Sequence, residues 1–211
     1  MQIECLSVGP IQANCYLVWG PEQRALVIDP GAEPETILKR LATRRLEVAC
    51  YLLTHGHADH IGALTELSAK RPAPYALHEA DHKWAFSVVN QIPPFYPAGH
   101  RPSAAWRTLA DGQNWSDGGL TCQVIGTPGH TPGSVCFYFP DERLLFSGDT
   151  LFQGSVGRTD LPGGDDDKLR DSLRKLSQLP PVTRILTGHG PETSLAEELR
   201  TNPFLQASKQ R

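Results

Sequence analysis

Thr54-His55-Gly56-His57-Ala58-Asp59-His60-Ile61 (THGHADHI) follows an apolar run, Val48 to Leu53, that reads as a buried strand. The stretch places three histidines and one aspartate within six positions. In an extended or looped backbone alternate side chains share a face, so His55 and His57 point the same way while Asp59 and His60 lie slightly further along. Such a segment can serve two ions at once. His55 and His57 could hold one divalent metal, and Asp59 with His60 a second, because neutral imidazole and carboxylate are donors that zinc and its neighbours accept. The plain alternative is a solvated, histidine-rich loop.

Three further loops decide between these readings, and each follows a strand-like run. Gly126 to His130 (GTPGH) comes after Leu120 to Ile125, Ser147 to Thr150 (SGDT) after Arg143 to Phe146, and Thr187 to Pro191 (TGHGP) after Thr183 to Leu186. His130, Asp149 and His189 therefore sit on loops at strand ends, where catalytic groups collect, beside glycines that allow tight turns. Any one Gly-His pair would pass as an ordinary turn. Three such loops together with the opening stretch point to a metal site.

The remaining chain reads as mixed α and β. Ile3 to Val8, Ala13 to Trp19 and Ala25 to Ile28 predict an opening antiparallel meander. Pro34 suits a first helical turn, Ile37, Leu38 and Leu41 recur at helical spacing, and Arg44-Arg45 reads as a helix end. A second amphipathic helix is expected over Ile61 to Leu67, then a strand at Pro74 to Leu77. Asp81 to Trp106, rich in aromatics and proline, reads as a packed loop that is either a cleft wall or a seal on the core edge. Further strands are expected at Arg107 to Leu109 and Val135 to Phe139. A helix is expected over Asp165 to Leu179, with the Asp165-Asp166-Asp167 triplet as its cap rather than a metal site. His78, His82 and His100 lie in no loop of the metal-binding kind and are not expected to be ligands.

Composition bounds the function. The 211 residues, 39% of them hydrophobic, suit one domain spanning 1–211 with one large core. No basic start leads into an apolar stretch and no run approaches bilayer length, so a cytoplasmic location is expected, with no membrane partner. Five cysteines form no CxxC pair and read as reduced and structural. A net charge of −3 offers no broad basic footprint for nucleic acid.

These residues resemble the metallo-β-lactamase superfamily and, within it, the short glyoxalase II-like hydrolases (hydroxyacylglutathione hydrolases). The resemblance also takes in Asn14-Cys15-Tyr16, Asp29-Pro30-Gly31, Gly148 to Gly164 and Gly188 to Leu205, where Leu195-Ala196 replaces the family's Ile-Gly. It implies an α+β fold, a four-layer αββα sandwich. It assigns His55, His57 and His130 to the first metal, Asp59, His60 and His189 to the second, and Asp149 to both. It implies two divalent ions roughly 3.5 to 4 Å apart, zinc foremost with iron or manganese as alternatives, sharing a hydroxide that attacks an acyl carbonyl. Asp59 would orient that hydroxide, and a small-molecule thioester would be the natural substrate. The alternatives are a lactonase or β-lactam hydrolase on the same ions, and a mononuclear-iron persulfide dioxygenase. The long glyoxalase II enzymes carry a C-terminal helical domain that contacts glutathione, and none is expected here. Arg158 is the candidate to bind a glutathione carboxylate in its place, unless it pairs with Asp160 to stiffen the loop.

Overall fold

A computed structural model describes residues 1–208 of the chain. Strands β1 (Gln2–Val8), β2 (Ala13–Trp19) and β3 (Arg24–Ile28) form the expected meander, and helix α1 (Pro34–Arg44) follows with its proline in the first turn. Arg45 ends that helix in the left-handed conformation, φ 55°, with its N–H turned back on Ala42 and Leu41. Next come β4 (Glu47–Leu52), the short α2 (Ala58–Ile61), α3 (Leu64–Lys70), β5 (Tyr75–His78), the one-turn α4 (Glu79–His82) and β6 (Trp106–Leu109). The second half holds β7 (Asn114–Asp117), β8 (Leu120–Gly126), β9 (Val135–Phe139), β10 (Leu144–Gly148), and the small hairpin β11 (Leu151–Phe152) and β12 (Ser155–Val156). It ends with α5 (Asp166–Leu176), β13 (Arg184–Thr187), β14 (Thr193–Ser194), α6 (Leu195–Thr201) and α7 (Pro203–Ser208).

Two six-stranded sheets result, ordered β1-β2-β3-β4-β5-β6 and β14-β13-β10-β9-β8-β7. Their facing sides share one apolar cluster, in which Val18, Leu26, Ile28 and Leu52 meet Val124, Phe137, Phe146 and Leu186. The outer face of the first sheet is covered by Ile37 and Leu41 of α1 and by Leu64 and Leu67 of α3. Leu169, Leu173 and Leu176 of α5, with Leu195 and Leu205, cover the outer face of the second. Helix, sheet, sheet, helix is the αββα sandwich expected.

Several local expectations change. Beyond the opening antiparallel meander much of the pairing is parallel: β3–β4, β4–β5, β5–β6 and β10–β13. Each of these pairs has a crossover between its strands, and β3, β4 and β10, buried on both faces, are nearly continuous apolar runs rather than alternating ones, whereas the edge strand β6 is largely exposed. The single helix expected over Ile61 to Leu67 is two, broken at Gly62 and Ala63. The 165–179 helix is shorter, with Asp165 as its N-cap accepting from the N–H groups of Asp167 and Lys168. Leu195, at the departure from the family's terminal run, is buried at the start of α6. The five cysteines are free, four buried and Cys5 exposed.

The architecture puts the functional loops together. Strands β8 and β10 both run antiparallel to β9, and β10 runs parallel to β13, so their C-terminal ends share one edge. A hydrogen bond from Val135 N–H to Thr54 O, 2.8 Å, brings the end of β4 to that edge. The crevice outside the carboxyl ends of parallel strands is where α/β sheets place their ligands.

Candidate metal centre

All seven residues singled out as donors converge at this edge. Thr54 to His57 leave β4, and His130 lies between β8 and β9, Asp149 just after β10, and His189 just after β13. Asp59 and His60 are not on a loop as expected: they lie in α2, with His57 at its N-cap. Two donor sets form side by side. His55, His57 and His130 make one and Asp59, His60 and His189 the other, each with donor atoms within 4.8 Å of one another. Asp149 faces both, Oδ1 at 3.4 Å from His60 Nε2 and Oδ2 at 3.5 Å from His130 Nε2.

The donors' own chemistry fits cations. His57 Nδ1 and His130 Nε2 lie 2.9 Å apart, as do His60 Nε2 and His189 Nε2 at 3.1 Å. His55 Nε2 and Asp149 Oδ1 are buried with no hydrogen-bond partner, a costly state for polar atoms unless something else satisfies them. Burial and the neighbouring imidazoles hold His55 well below the usual histidine range, and burial with His130 takes His57 down to about 3. Both imidazoles are therefore neutral, as a metal ligand must be. Burial would also lower His60, but the carboxylates of Asp149, Asp59 and Asp29 raise it to about 10. A proton there neutralises a cluster of carboxylates, a role that a divalent cation fills more completely.

Supporting groups fix the donors, and sequence reasoning gave them no role. Asp29, at the end of β3, accepts from Thr54 N–H (2.7 Å) and Thr54 Oγ1 (2.6 Å). Its Oδ2 lies 3.1 Å from His60 Nδ1, which leaves Nε2 to the site. Asp29 also falls within a third cluster with His55 and His60, but these bonds occupy it as a support. The His130 ring donates through Nδ1 to the Arg158 carbonyl at 2.7 Å. Asn14 Nδ2 donates to the carbonyls of Thr187 and Gly190, and Tyr16 Oη to that of Thr187, so the second strand carries the His189 loop. Gly188 is required by space: a Cβ there would stand 2.1 Å from Asp149 Oδ1. Asp81, fully buried in α4, accepts from Gly56 N–H, Gly133 N–H and Thr131 Oγ1. Asp29 and Gly188 lie in stretches the family resemblance had flagged, whereas Asp81 lies in one that had read as irregular loop.

A cavity of about 720 Å³ opens over the donors, with Ile11, Trp84, Ile92 and Leu161 among its walls. The segment expected to be a cleft wall or a core seal is both: Trp84 stands 5.5 Å from the His57 ring, while Ala85 is fully buried in the outer core. Arg158 lines the cavity, yet its guanidinium is held by Asp160 through bonds of 2.6 and 2.7 Å, the pairing anticipated as the alternative to substrate contact. His78, His82 and His100 stay outside the donor sets. His78 accepts from Ala80 N–H at a helix start, His82 stacks on Trp106, and the His100 carbonyl accepts from Thr65.

The chain is similar to known proteins in sequence and in fold. The chain is 40% identical over 202 residues to a probable metallo-hydrolase of Bacillus subtilis, YqgX, with 95% of each covered. It is 35% identical over 217 residues to the hydroxyacylglutathione hydrolase GloC of Haemophilus influenzae, covering 98% of this chain and 99% of that one. Among solved structures, the B3 metallo-β-lactamase BLEG-1 superposes with a TM-score of 0.90 at 36% identity, covering 97% of this chain and 99% of its own. TTHA1623 in a di-iron-bound form superposes at 0.86 with 43% identity, covering 95% and 99%. The family model described as the metallo-beta-lactamase superfamily matches residues 8–189, and with it the chain belongs to that superfamily of metallo-hydrolases.

Proposed function

We propose that the chain is a dinuclear metal hydrolase that cleaves thioesters of the hydroxyacylglutathione kind, with S-lactoylglutathione as its substrate. The observation that carries this reading is the cleft wall. Apart from the donor residues, its described lining consists of apolar and amide side chains, one glycine and one arginine, with no Glu, Lys, Tyr or Cys. No side chain outside the donor sets is therefore placed to protonate a departing group. Alkoxide and amine leaving groups need that help, whereas a thiolate, with a parent thiol pKa of about 8.5, departs without it.

In this reading His55, His57 and His130 hold one ion, Asp59, His60 and His189 the other, and Asp149 serves both. Two divalent ions bound there supply Lewis-acid polarisation of the acyl carbonyl and a water of lowered pKa. The chain's own residues do the rest. Asp59 orients the attacking water by accepting its hydrogen bond, and Asp29 keeps His60 in the tautomer that presents Nε2. Trp84, Ile92 and Leu161 shield the acyl group from bulk solvent, and Arg158, at the rim, meets a substrate carboxylate when Asp160 releases it. Zinc is the ion we assign, although imidazole and carboxylate donors also accept iron and manganese. The same reading takes residues 1–211 as one catalytic unit working in the cytoplasm on a small molecule rather than on nucleic acid or membrane.

Hydrolysis of S-lactoylglutathione, a lactone and a β-lactam by metal-analysed protein tests the proposal, with oxygen uptake followed in parallel on a persulfide. Thioester turnover at least a hundredfold above the other two, two zinc ions per chain and no oxygen consumption are expected. The similarity to BLEG-1 favours a β-lactam substrate as the second reading. Turnover led by the β-lactam would establish that reading in place of ours.

A further inference from the structure

The three donors of the first set come from two loops on different sheets: His55 and His57 follow β4, and His130 follows β8. Asp81 ties these loops together. Its Oδ2 accepts from Gly56 N–H (2.8 Å), between the two histidines of the first loop, and from Thr131 Oγ1 (2.6 Å), next to His130. Its Oδ1 accepts from Gly133 N–H at 2.7 Å, on that same second loop. All three partners are donors, so the position calls for a group that only accepts. Asn90 completes the hold on the first loop, donating through Nδ2 to Gly56 O (2.7 Å) and accepting from Ala58 N–H (3.1 Å). Close packing leaves no slack, since a Cβ on Gly56 would meet the Cβ atoms of Asp81 and Ala85 at 3.1 Å. The second set has a support that Asp81 does not touch, Asp29 on His60; Asp29 also holds the start of the first loop at Thr54, but it makes no bond to the His130 loop.

We infer that Asp81 is a positioning residue for the first metal site alone, acting as a latch that sets the distance between the His55/His57 loop and the His130 loop. The inference rests on the two-site reading above. An ion held by three imidazoles tolerates little spread among them, and loss of an outer partner costs roughly 10- to 100-fold in metal affinity. Replacing the carboxylate by an amide leaves the volume nearly unchanged but turns one of the two acceptor oxygens into an NH2, which meets a donor whichever way the amide is turned.

The test measures Zn²⁺ affinity by chelator competition, with one site removed at a time. Asp81→Asn is placed in a His189→Ala background, where the first site remains, and in a His130→Ala background, where the second remains. We expect affinity to fall roughly 10- to 100-fold in the first and less than threefold in the second. An equal fall in both, accompanied by a lower melting temperature of the metal-free protein, would make Asp81 a general structural residue and overturn the inference. So would no fall in either. If Asp81→Asn does not fold, Thr131→Val removes one of the three donors and should show the same asymmetry at smaller size. Absence of Zn²⁺ binding in the parent backgrounds would instead overturn the two-site reading itself.

Discussion

Asp149 and Arg158 flank the β11–β12 hairpin, nine residues apart, and the geometry gives them opposite fates on mutation. Asp149 has one oxygen toward each donor set, and the glycine at 188 leaves just enough room for it. Asp149→Ala should weaken both ions by more than the roughly 10- to 100-fold that loss of an outer partner costs, read as metal content after dialysis against a weak chelator. Retention of two tightly bound ions with normal turnover would refute the assignment. Arg158 supports His130 through its backbone carbonyl, which any residue supplies, while its side chain is exposed and paired with Asp160. Arg158→Ala should leave metal content and kcat unchanged and raise KM for S-lactoylglutathione only modestly, roughly 1.5- to 5-fold, because an exposed, solvent-screened charge contributes little. An unchanged KM with a lower melting temperature would assign the pair to loop stiffening alone.

At the level of elements, α5 has two tasks that can be separated. Leu169, Leu173 and Leu176 seal the outer face of the second sheet. Its other side holds the His130 loop: Ser172 Oγ donates to Pro128 O at 2.7 Å, and Asp165 N–H, at the cap, to Gly129 O at 2.8 Å. Leu173→Ala should destabilise the metal-free protein by about 2–5 kcal/mol through the cavity it leaves. At roughly 2–4 °C per kcal/mol for a chain of this size, melting should fall by roughly 4–20 °C. Zn²⁺ affinity should stay within threefold, because the loop contacts come from Ser172 and Asp165. A large loss of affinity would mean that packing and positioning are not separable in this helix. The apolar stripe of α5 and the Asp165 cap were legible in the sequence because helical spacing and an acidic first turn are local signals. The parallel pairing of β3 with β4 and of β10 with β13 was not, because it depends on crossovers that only the assembled sheets reveal. The helical turn at Asp59 and His60 was masked for a related reason: four residues are too few to display a period. The seven candidate donors were legible as a set, since their residue types are rare in such density, but Asp81 and Asn90 act through backbone groups of the His55/His57 loop, and no spacing encodes that.

Across the whole molecule, the donors link the two halves of the sandwich. His55, His57, Asp59 and His60 come from the first sheet's side, and His130, Asp149 and His189 from the second's, so each donor set draws on both. The interface there brings imidazole nitrogens together in pairs at 2.9 and 3.1 Å and buries two polar atoms, His55 Nε2 and Asp149 Oδ1, that have no hydrogen-bond partner. Ions at this seam would satisfy those two atoms and add bonds that cross between the halves, and they would bind the folded chain in preference to the unfolded one. Linkage then sets the size of the effect: free metal at a thousandfold over its dissociation constant stabilises by about 4 kcal/mol per site. Melting of the wild-type protein should therefore rise roughly 8–16 °C between chelator and such a metal concentration, for one site counted alone. It should continue upward with the logarithm of free metal instead of saturating. His189→Ala, which leaves one set whole, should keep part of that rise, whereas Asp149→Ala should lose most of it. Equal melting temperatures with chelator and with metal would show that the ions do not bind across the seam, whatever their part in catalysis.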